Sequence, residues 1–328
     1  MKLKSSSAGC DILENLIKVV SIVGPTASGK TKLSIKLAKM FNGEIISADS
    51  MQIYKGMQIA TAKPTVDEME GIKHHLIDFV SPDETYSVAM FVKDASECIS
   101  DIISRGKLPF IVGGTGLYVD SLLNHITFSE EQRDEKLSLE LRKIYEEEGI
   151  ETLLKMLSEF DIDSANRLKT EKNPKRIIRA IEFYKTTGTT ITEQNKKSRL
   201  VKSPYKPIKI GLNFKDRSKL YERVNKRVDI MLESGLLNEA KEVISNKLSL
   251  TSVKAIGYKE LLPYFNGEKT LEECIDKLKM ETRRYSKRQI TWFKRDLDMN
   301  WLYADEYNSF EELLAKAVEI IKKGYIYG

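Results

Sequence analysis

Residues 22–37 read IVGPTASGKTKLSIKL and contain a complete match to the pattern G-x-x-x-x-G-K-[ST]. In this pattern the glycines let backbone N–H groups turn toward phosphate oxygens, the lysine adds a positive charge, and the final hydroxyl can bind Mg²⁺. The β-branched run 18–23 predicts a buried strand before the loop, and apolar residues at helical spacing predict a helix over 30–41. This order places a phosphate at a helix N-terminus. We therefore predict that a phosphate is bound by Gly24, Pro25, Thr26, Ala27, Ser28, Gly29, Lys30 and Thr31, with Thr31 as the Mg²⁺ ligand.

The bulk composition is that of an ordinary globular protein: of the 328 residues, 31% are charged and 41% are hydrophobic. No apolar run approaches the roughly 20 residues of a membrane helix, and the N-terminal residues lack the continuous apolar core of a secretory signal. The three cysteines, Cys10, Cys98 and Cys274, are far apart, which argues against a disulfide framework and a cysteine-rich zinc site. We expect a cytoplasmic protein with no membrane association, and no obligate protein partner is evident.

Two stretches are strongly basic although the net charge is only +5. Residues 167–202 contain eleven Lys or Arg and three acidic residues, and residues 277–295 contain eight basic residues and one acidic residue, Glu281. Two separate basic stretches favour a polyanion larger than a nucleotide as a partner. The alternative is that both stretches form solvated helix faces, and charge alone does not exclude it.

Strand-like and helix-like segments alternate over about the first 120 residues, which predicts an α/β fold with a parallel sheet and crossover helices. We predict strands at 43–49, 74–78 and 107–112 and a helix at 87–105 in residues 1–126. Residues 127–199 have no strand-like run, so we predict an all-helical insertion with helices at 130–148, 151–160 and 174–185. Residues 200–328 return to the core, with strands at 206–213 and 300–303 and helices at 216–234, 238–246, 271–295 and 309–323.

Asp49 is the carboxylate best placed for chemistry. It ends the strand that we expect to neighbour the phosphate-loop strand, and open α/β sheets bind their ligands at such strand ends. Its role is that of a general base or hydrogen-bond acceptor; orienting a Mg²⁺-bound water or capping a helix are the alternatives. The strand that reaches Val112 continues into Gly113-Gly114-Thr115-Gly116 and lacks the carboxylate with which motor ATPases hold Mg²⁺ and orient water. This argues against ATP hydrolysis, although small kinases also lack that arrangement.

Eight stretches follow one another along the chain: GPTASGKT, ADSMQIYKGMQIATAKP, HHLID, YSVAMF, VGGTGLY, NPKRIIRAIE, IGYKELL and SKRQITWFKRD. Together they resemble the tRNA dimethylallyltransferases, also called tRNA isopentenyltransferases or IPP transferases, over nearly the whole length. The resemblance implies a P-loop NTPase-like parallel sheet with flanking helices and an all-helical insertion domain. The loop motif alone is typical of ATP-binding proteins, but the resemblance implies dimethylallyl diphosphate instead. It also implies transfer of the dimethylallyl group to the exocyclic amine of the adenine just 3′ of the anticodon in tRNAs.

The resemblance also implies roles for individual residues. Asp49 is expected to take a proton from the adenine amine, and Thr115 to lie near the reacting centre. Arg223 is expected to point at the diphosphate, with Arg227 as the alternative and a surface salt bridge as the other reading of either arginine. Contacts to the tRNA anticodon stem-loop are expected from Asp49, Ser50, Met51 and Gln52 at the target base, from Lys175 and Arg176 in the insertion, and from Lys287, Arg288 and Gln289 in the second basic stretch. Mg²⁺ is the expected cofactor.

Three other functions remain open from the sequence alone. A small-molecule kinase would explain the phosphate loop and Asp49, but not the basic insertion or the stretch SKRQITWFKRD. An adenylate isopentenyltransferase acting on free AMP or ATP would share the chemistry, but it needs no basic surface for a macromolecule. A nonenzymatic RNA-binding protein with a relic loop would leave the complete loop and Asp49 without a purpose.

Overall fold

The computed structural model describes residues 16–126, 128, 134–245 and 255–326. Its strands are β1 (Ile17–Val23), β2 (Gly43–Ser47), β3 (His74–His75), β4 (Leu108–Gly113), β5 (Tyr205–Asn213) and β6 (Asn300–Tyr303). These strands form one parallel sheet in the order β3-β2-β4-β1-β5-β6. The phosphate-loop strand β1 is central and pairs with β4 on one side and β5 on the other. The parallel sheet that the alternating pattern predicts is thereby confirmed.

Helices cover both faces of the sheet and fill the insertion. Before the insertion the helices are α1 (Lys30–Met40), α2 (Val66–Met69), α3 (Val88–Ser104) and α4 (Gly116–Leu123). The insertion contains α5 (Glu135–Glu148), α6 (Ile150–Ser158), α7 (Ile162–Glu171), α8 (Pro174–Thr187) and α9 (Ile191–Leu200). After it come α10 (Arg217–Glu233), α11 (Leu236–Ser245), α12 (Leu262–Phe265), α13 (Leu271–Phe293) and α14 (Phe310–Ile326). Of the helices that the structure describes, none combines the length and the apolar composition needed to cross a membrane.

The chain folds as two compact units. The core unit contains the described residues up to Leu123 and from Pro204 onward, and the insertion unit is Asn124–Ser203, compared with the 127–199 expected from the change in sequence texture. The insertion unit has its own apolar core, which includes Leu141, Leu157 and Ile181. Each unit therefore has the buried apolar side chains that an independent hydrophobic core requires.

The sheet of the core unit is buried on both faces. On one face Ile22 packs with Leu37 of α1 and Ile321 of α14, all fully buried. On the other face Val23 packs in a cluster with Phe91 of α3 and Phe293 of α13. Burial on both faces explains why β1 and β4 are mostly apolar rather than alternating between apolar and polar residues. This packing holds the carboxyl ends of the strands, where the loops carry the predicted site residues, at one edge of a rigid sheet.

The structure corrects the strand predictions at three places. Strand β2 ends at Ser47, so Asp49 lies in the loop that follows the strand and not at its last position. Strand β3 has two residues where five were expected, because Leu76 and Asp78 adopt left-handed backbone conformations with φ of 56° and 57°. Strand β2 does not neighbour β1, because β4 lies between them. Asp49 is therefore one strand further from the phosphate loop than expected.

The predicted helices agree with the structure to within a few residues in the part of the chain that it describes, but five of its helices were not predicted: α2, α4, α7, α9 and α12. Helices α7 and α9 are short and polar, and they start at the capping residues Asp161 and Thr190 rather than at a clear apolar period. The last predicted strand, 300–303, agrees with β6 residue for residue. Residues 130–133 and 246, at the ends of two predicted helices, lie outside the described residues, as does Cys10.

A buried carboxylate anchors the outer part of the sheet. Glu44 of β2 is only 2% exposed. It accepts hydrogen bonds from Arg105 at 2.7 Å, from Lys107 at 2.7 Å and from the His75 ring at 2.7 Å. The bonds from Arg105, together with those from Lys107 and His75, hold the pKa of Glu44 far below its usual range despite its burial. The cluster ties β2 and β3 to the segment that leads into β4.

Replacing this carboxylate should destabilise the core unit in a pH-dependent way. Glu44→Gln should lower the free energy of unfolding by about 3 kcal/mol at neutral pH, the lower end for breaking a buried ion pair, because the cations are partly exposed. The folded-state pKa is depressed, so the stabilisation is complete above the ordinary value of 4.5 and is lost as the pH falls below it. Urea denaturation of both proteins at neutral pH and near pH 3.5 measures the difference, which should shrink in acid.

The matched control is Glu70→Gln, because the exposed Glu70 also pairs with two lysines, Lys36 and Lys39. That change should have little effect on the urea midpoint, because exposed ion pairs contribute little. Equal destabilisation by the two variants would contradict the role assigned to Glu44.

Candidate active site

The phosphate loop connects β1 to α1 at the carboxyl edge of the sheet. Gly24 has a φ of 149°, and a Cβ placed there would lie 2.1 Å from the carbonyl oxygen of Leu212 on β5. Glycine is therefore required where the loop leaves the strand. Helix α1 starts immediately after Gly29, which has no side-chain cap, so the first N–H groups of the helix remain directed at a ligand position.

Lys30 provides the positive charge of the loop. Its Nζ donates a hydrogen bond of 2.7 Å to the carbonyl oxygen of Pro25. Removal from bulk water, followed by the nearby Arg227 guanidinium, lowers the pKa of Lys30 to about 7, although the Asp49 carboxylate acts in the opposite direction. Lys30, Arg227 and Asp49 therefore lie close enough to affect one another's charge.

Gln289 of α13 joins the phosphate loop to the loop after β4. Its side-chain oxygen accepts the Thr26 N–H at 2.9 Å, and its side-chain nitrogen donates to the carbonyl oxygen of Gly114 at 3.0 Å. The side chain is 5% exposed, so both of its polar ends are committed inside the protein. The sequence places Gln289 among the residues that meet tRNA phosphates; the structure instead shows an internal bridge that shapes the site. The basic residues around it suggested a contact with RNA, but the periodicity of the helix directs this side chain into the protein.

Asp49 and Thr115 lie on adjacent loops at the same edge. Asp49 Oδ1 accepts the Met51 N–H at 2.9 Å and the Gln52 N–H at 3.4 Å. Thr115 Oγ1 accepts the Ser50 N–H at 3.0 Å and lies 3.3 Å from the Ser50 hydroxyl. The two side chains thus hold the backbone of residues 49–52 from both sides.

Arg223 and Arg227 occupy one face of α10, a single turn apart. Arg223 is exposed, and its Nε donates to the carbonyl oxygen of Ala27 in the phosphate loop at 2.9 Å. Burial lowers the pKa of Arg227, while the Asp49 and Glu68 carboxylates raise it. Both arginines therefore approach the loop, Arg223 at its rim and Arg227 closer to Asp49 and Lys30.

The residues expected to contact RNA have different environments. Lys287 and Arg288 are exposed on α13, and the Arg288 guanidinium lies 5.6 Å from the Tyr285 ring centroid. The Gln52 side chain is engaged within the core unit, accepting the Ser47 hydroxyl at 3.1 Å. Lys175 and Arg176 belong to the insertion unit. The remaining predicted phosphate ligands, Ala27, Ser28 and Thr31, lie on the loop and the first turn of α1.

Tyr285 is a site residue that the sequence did not single out. It lies on α13 one turn before Gln289, and its hydroxyl is close enough to Thr115 and Gln289 for both to affect its pKa. Burial, followed by the charge of Asp49, raises the pKa of Tyr285, so the phenol remains protonated. The signal that could have found it is the four-residue spacing to Gln289, which places both on one face of the helix.

Comparison with known proteins identifies the family of this chain. A model of the IPP transferase family matches residues 52–296. The chain belongs to that family. Among curated relatives, the tRNA dimethylallyltransferase of Caldanaerobacter subterraneus subsp. tengcongensis is 47% identical over 309 residues, covering 93% of this chain and 98% of the relative.

Two solved structures show that the fold of this IPP transferase is also similar to that of known relatives. The full-length tRNA isopentenylpyrophosphate transferase from Bacillus halodurans is 43% identical, with a TM-score of 0.71 over 94% of this chain and 96% of that one. A eukaryotic dimethylallyltransferase acting on tRNA is 31% identical, with a TM-score of 0.74 over 93% of this chain and 80% of that one. The P-loop NTPase-like fold expected from the sequence is confirmed.

The lowered pKa of Lys30 predicts a pH-dependent anion site. In the free protein Lys30 loses its proton as the pH rises through about 7. A bound anion favours the charged lysine, so binding above this pH is coupled to uptake of a proton by Lys30. Inorganic diphosphate should therefore bind more weakly as the pH rises from about 6 to about 8.5, with proton uptake at the higher end. Calorimetry in two buffers of different ionisation enthalpy, at fixed Mg²⁺, measures both quantities.

The control is Lys30→Met, which removes the titrating lysine, whereas the protonation of the diphosphate itself changes with pH as it does with the wild-type protein. The difference in pH slope between the two proteins isolates the lysine. Identical slopes and identical proton uptake would show that Lys30 keeps its charge throughout this range.

Proposed function

We propose that this protein transfers the dimethylallyl group of dimethylallyl diphosphate to the exocyclic amine of the adenine 3′-adjacent to the anticodon in tRNA. The observation that carries the proposal is the placement of a phosphate loop and the carboxylate of Asp49 at one edge of the sheet, in a member of the IPP transferase family. Lys30 and Asp49 are close enough for the carboxylate to affect the lysine pKa. One site can therefore hold an anionic leaving group beside a proton acceptor.

The reaction breaks the bond between an allylic carbon and a diphosphate oxygen and forms a bond from that carbon to the amine nitrogen. The electron pair of the broken bond leaves with the diphosphate, and the amine loses a proton. Negative charge grows on the departing oxygen, where the N–H groups at the start of α1 and the Lys30 ammonium stabilise it. Removing one such donor typically costs about 3–4 kcal/mol of barrier.

Asp49 accepts the proton of the amine. The adenine amine is a poor nucleophile because its lone pair is conjugated into the ring, so an acceptor that orients it and takes its proton helps most. Asp49 Oδ1 is held by the N–H groups of Met51 and Gln52, which leaves the second oxygen to meet the substrate. Thr115 supports this arrangement by accepting the Ser50 N–H.

The two arginines of α10 complete the anion site. Arg227 lies closest to Lys30 and Asp49, and we assign it to the diphosphate together with the rim residue Arg223. A guanidinium presents two parallel N–H donors to a phosphate, which suits a leaving group that gains charge.

The residues present fit Mg²⁺ bound together with the diphosphate. Thr31 would hold the ion, because its exposed hydroxyl stands at the first turn of α1, beside the phosphate position. Mg²⁺ commonly takes few protein oxygens and completes its shell with substrate phosphates and water. In the described ranges, no cluster of three or more His, Cys, Asp or Glu side chains could hold a metal alone. When bound, the ion would neutralise charge on the leaving group.

We assign the anticodon stem-loop to two basic surfaces. In the insertion unit, four cations line a cavity of about 270 Å³: Arg167, Lys175, Arg176 and Arg179. In the core unit, Lys287 and Arg288 are exposed on α13. Cations of this kind bind RNA phosphates without reading sequence. The target adenine must leave the stack of its loop to reach the site, as bases do in other enzymes that modify them. We infer a cytoplasmic location, where a tRNA substrate is available.

The direct test uses labelled dimethylallyl diphosphate, Mg²⁺ and an anticodon stem-loop with adenine 3′ of the anticodon. The expected result is label on that stem-loop and none on the same stem-loop with guanine at the position. Label on AMP at a matching rate would assign the protein to the adenylate isopentenyltransferases. Turnover of ATP with no transfer of label would support a kinase and refute the proposal.

Asp49→Asn should lower kcat by about 10²–10⁴-fold, the usual contribution of a general base. The amide keeps the size of the side chain and an acceptor for the N–H groups, so the Kd for the stem-loop should change little. Single-turnover rates and filter binding measure the two quantities. Asp298→Asn, at an exposed position, is the control and should keep both values. Unchanged turnover in Asp49→Asn would remove this residue from the mechanism.

A further inference from the structure

Glu239 binds the backbone of residues 58–60, which lie about 180 positions earlier in the chain. Near the start of α11, its Oε2 accepts the N–H groups of Gln58 at 2.9 Å and Ile59 at 2.7 Å. Its Oε1 accepts the Ala60 N–H at 2.9 Å and the hydroxyl of Tyr258 at 2.8 Å. Three consecutive N–H groups that converge on one carboxylate form a backbone nest, a geometry that selects an anion.

The clamped loop, residues 57–62, in turn holds Gln52. The Gln52 side-chain nitrogen donates to the carbonyl oxygens of Thr61 and Ala62, each at 3.2 Å. The Gln52 side-chain oxygen accepts the hydroxyl of Ser47, the last residue of β2. Both polar ends of Gln52 are therefore committed, one to the loop and one to the strand that precedes Asp49.

Gln52 also contacts the catalytic carboxylate directly. Its backbone N–H donates to Asp49 Oδ1 at 3.4 Å, next to the Met51 N–H at 2.9 Å. A continuous hydrogen-bonded chain thus runs from Glu239 through the loop and Gln52 to Asp49. The phosphate loop is held separately, by Gln289 and Arg223.

We propose, on the basis of the function proposed above, that Glu239 is a positioning residue for catalysis, which fixes the orientation of Asp49 through the loop 57–62 and Gln52. Its contribution is geometric: it keeps the Asp49 oxygen aligned with the amine of the flipped base. Because the diphosphate is bound by separate elements, loss of Glu239 lowers turnover while leaving diphosphate binding intact.

The ionised carboxylate is essential to this clamp. Among the described residues, the four groups that hydrogen-bond to it are all donors, three backbone N–H groups and one phenol, and a carboxylate is an acceptor at both oxygens. In Glu239→Gln one oxygen becomes an NH₂ group. If it replaces Oε1 it faces the Ala60 N–H, and if it replaces Oε2 it faces two N–H groups. Either orientation sets donor against donor, so the loop must move.

The test compares steady-state kinetics of Glu239→Gln with wild type on the stem-loop substrate. The expected result is a fall in kcat of about 10²-fold, the size of effect that a misplacement near 1 Å produces. The KM for dimethylallyl diphosphate and the Kd for inorganic diphosphate should stay within about twofold. Glu239→Asp retains the charge and should recover part of kcat.

The matched control is Asp305→Asn, because Asp305 also accepts two backbone N–H groups, those of Lys215 and Asp216, in the core unit. It should lower stability by an amount comparable to Glu239→Gln while keeping kcat. Hydrogen exchange of the amides of residues 58–60, which needs no substrate, should accelerate in Glu239→Gln and not in the control.

The outcomes separate this inference from the proposed function. A wild-type protein that prenylates nothing overturns the function, whereas hydrogen exchange still reports on the clamp. A wild-type protein that prenylates the stem-loop, with kcat unchanged in Glu239→Gln, overturns the positioning role. A parallel loss of kcat and of diphosphate affinity would assign Glu239 to general stability and likewise overturn it.

Discussion

The close approach of backbone segments at the carboxyl edge of the sheet is the constraint on which the site depends. A Cβ on Gly113 would lie 2.1 Å from the carbonyl oxygen of Ala48, and a Cβ on Gly24 would meet Leu212 at the same distance. Thr115 N–H then donates to the Ala48 oxygen at 3.2 Å, which joins the loop after β4 to the segment that carries Asp49. Any side chain at these glycines would separate the strand ends. The proposed chemistry needs the loops of three neighbouring strands within one small volume, and this packing brings them together.

The positive charges at this edge of the sheet suit an anionic ligand. Lys30 and Arg227 are withdrawn from water and lie near each other, and burial lowers the pKa of both. Such an arrangement is unfavourable without a ligand and becomes favourable when a diphosphate supplies negative charge. The phosphate loop is held by the uncharged amide of Gln289 and by the charged side chain of Arg223. Arg223 therefore both supports the loop and adds positive charge at its rim.

Local patterns in the chain predicted most of the elements that carry the site. The phosphate loop is contiguous, so its spacing alone indicated its conformation and its place between β1 and α1. Asp49 and Thr115 follow strand-like runs, and strand ends of a parallel sheet share an edge. The strand order could not be predicted in this way. Strand β4 separates β2 from β1, and no local feature of β1 or β2 indicates which strand lies beside it. Likewise the left-handed backbone at Leu76 and Asp78 ends β3 early, although the sequence of residues 74–78 resembles a short strand.

The contacts that shape the site join parts of the chain that are remote in sequence. Gln289 reaches Gly114 across 175 positions, and Glu239 reaches Gln58 across 181. The spacing of motifs does not reveal such pairs, because Gln289 and Glu239 each look like an ordinary polar residue on a helix. Gln289 appeared to belong to an RNA-binding stretch, and its burial became visible only when α13 was packed against the sheet.

By itself, the sequence determined the phosphate-loop motif between a strand and a helix, the alternation of strand-like and helix-like segments, and the two basic stretches from which a polyanionic partner was predicted. The order of its motifs also indicated the family. Only the tertiary structure decided which strands are neighbours, which polar side chains face inward, and which distant carboxylate clamps the loop that holds Gln52 near Asp49. The physical reason is that backbone conformation and short-range spacing are local properties, whereas hydrogen-bond partners between loops are set by how helices and strands pack.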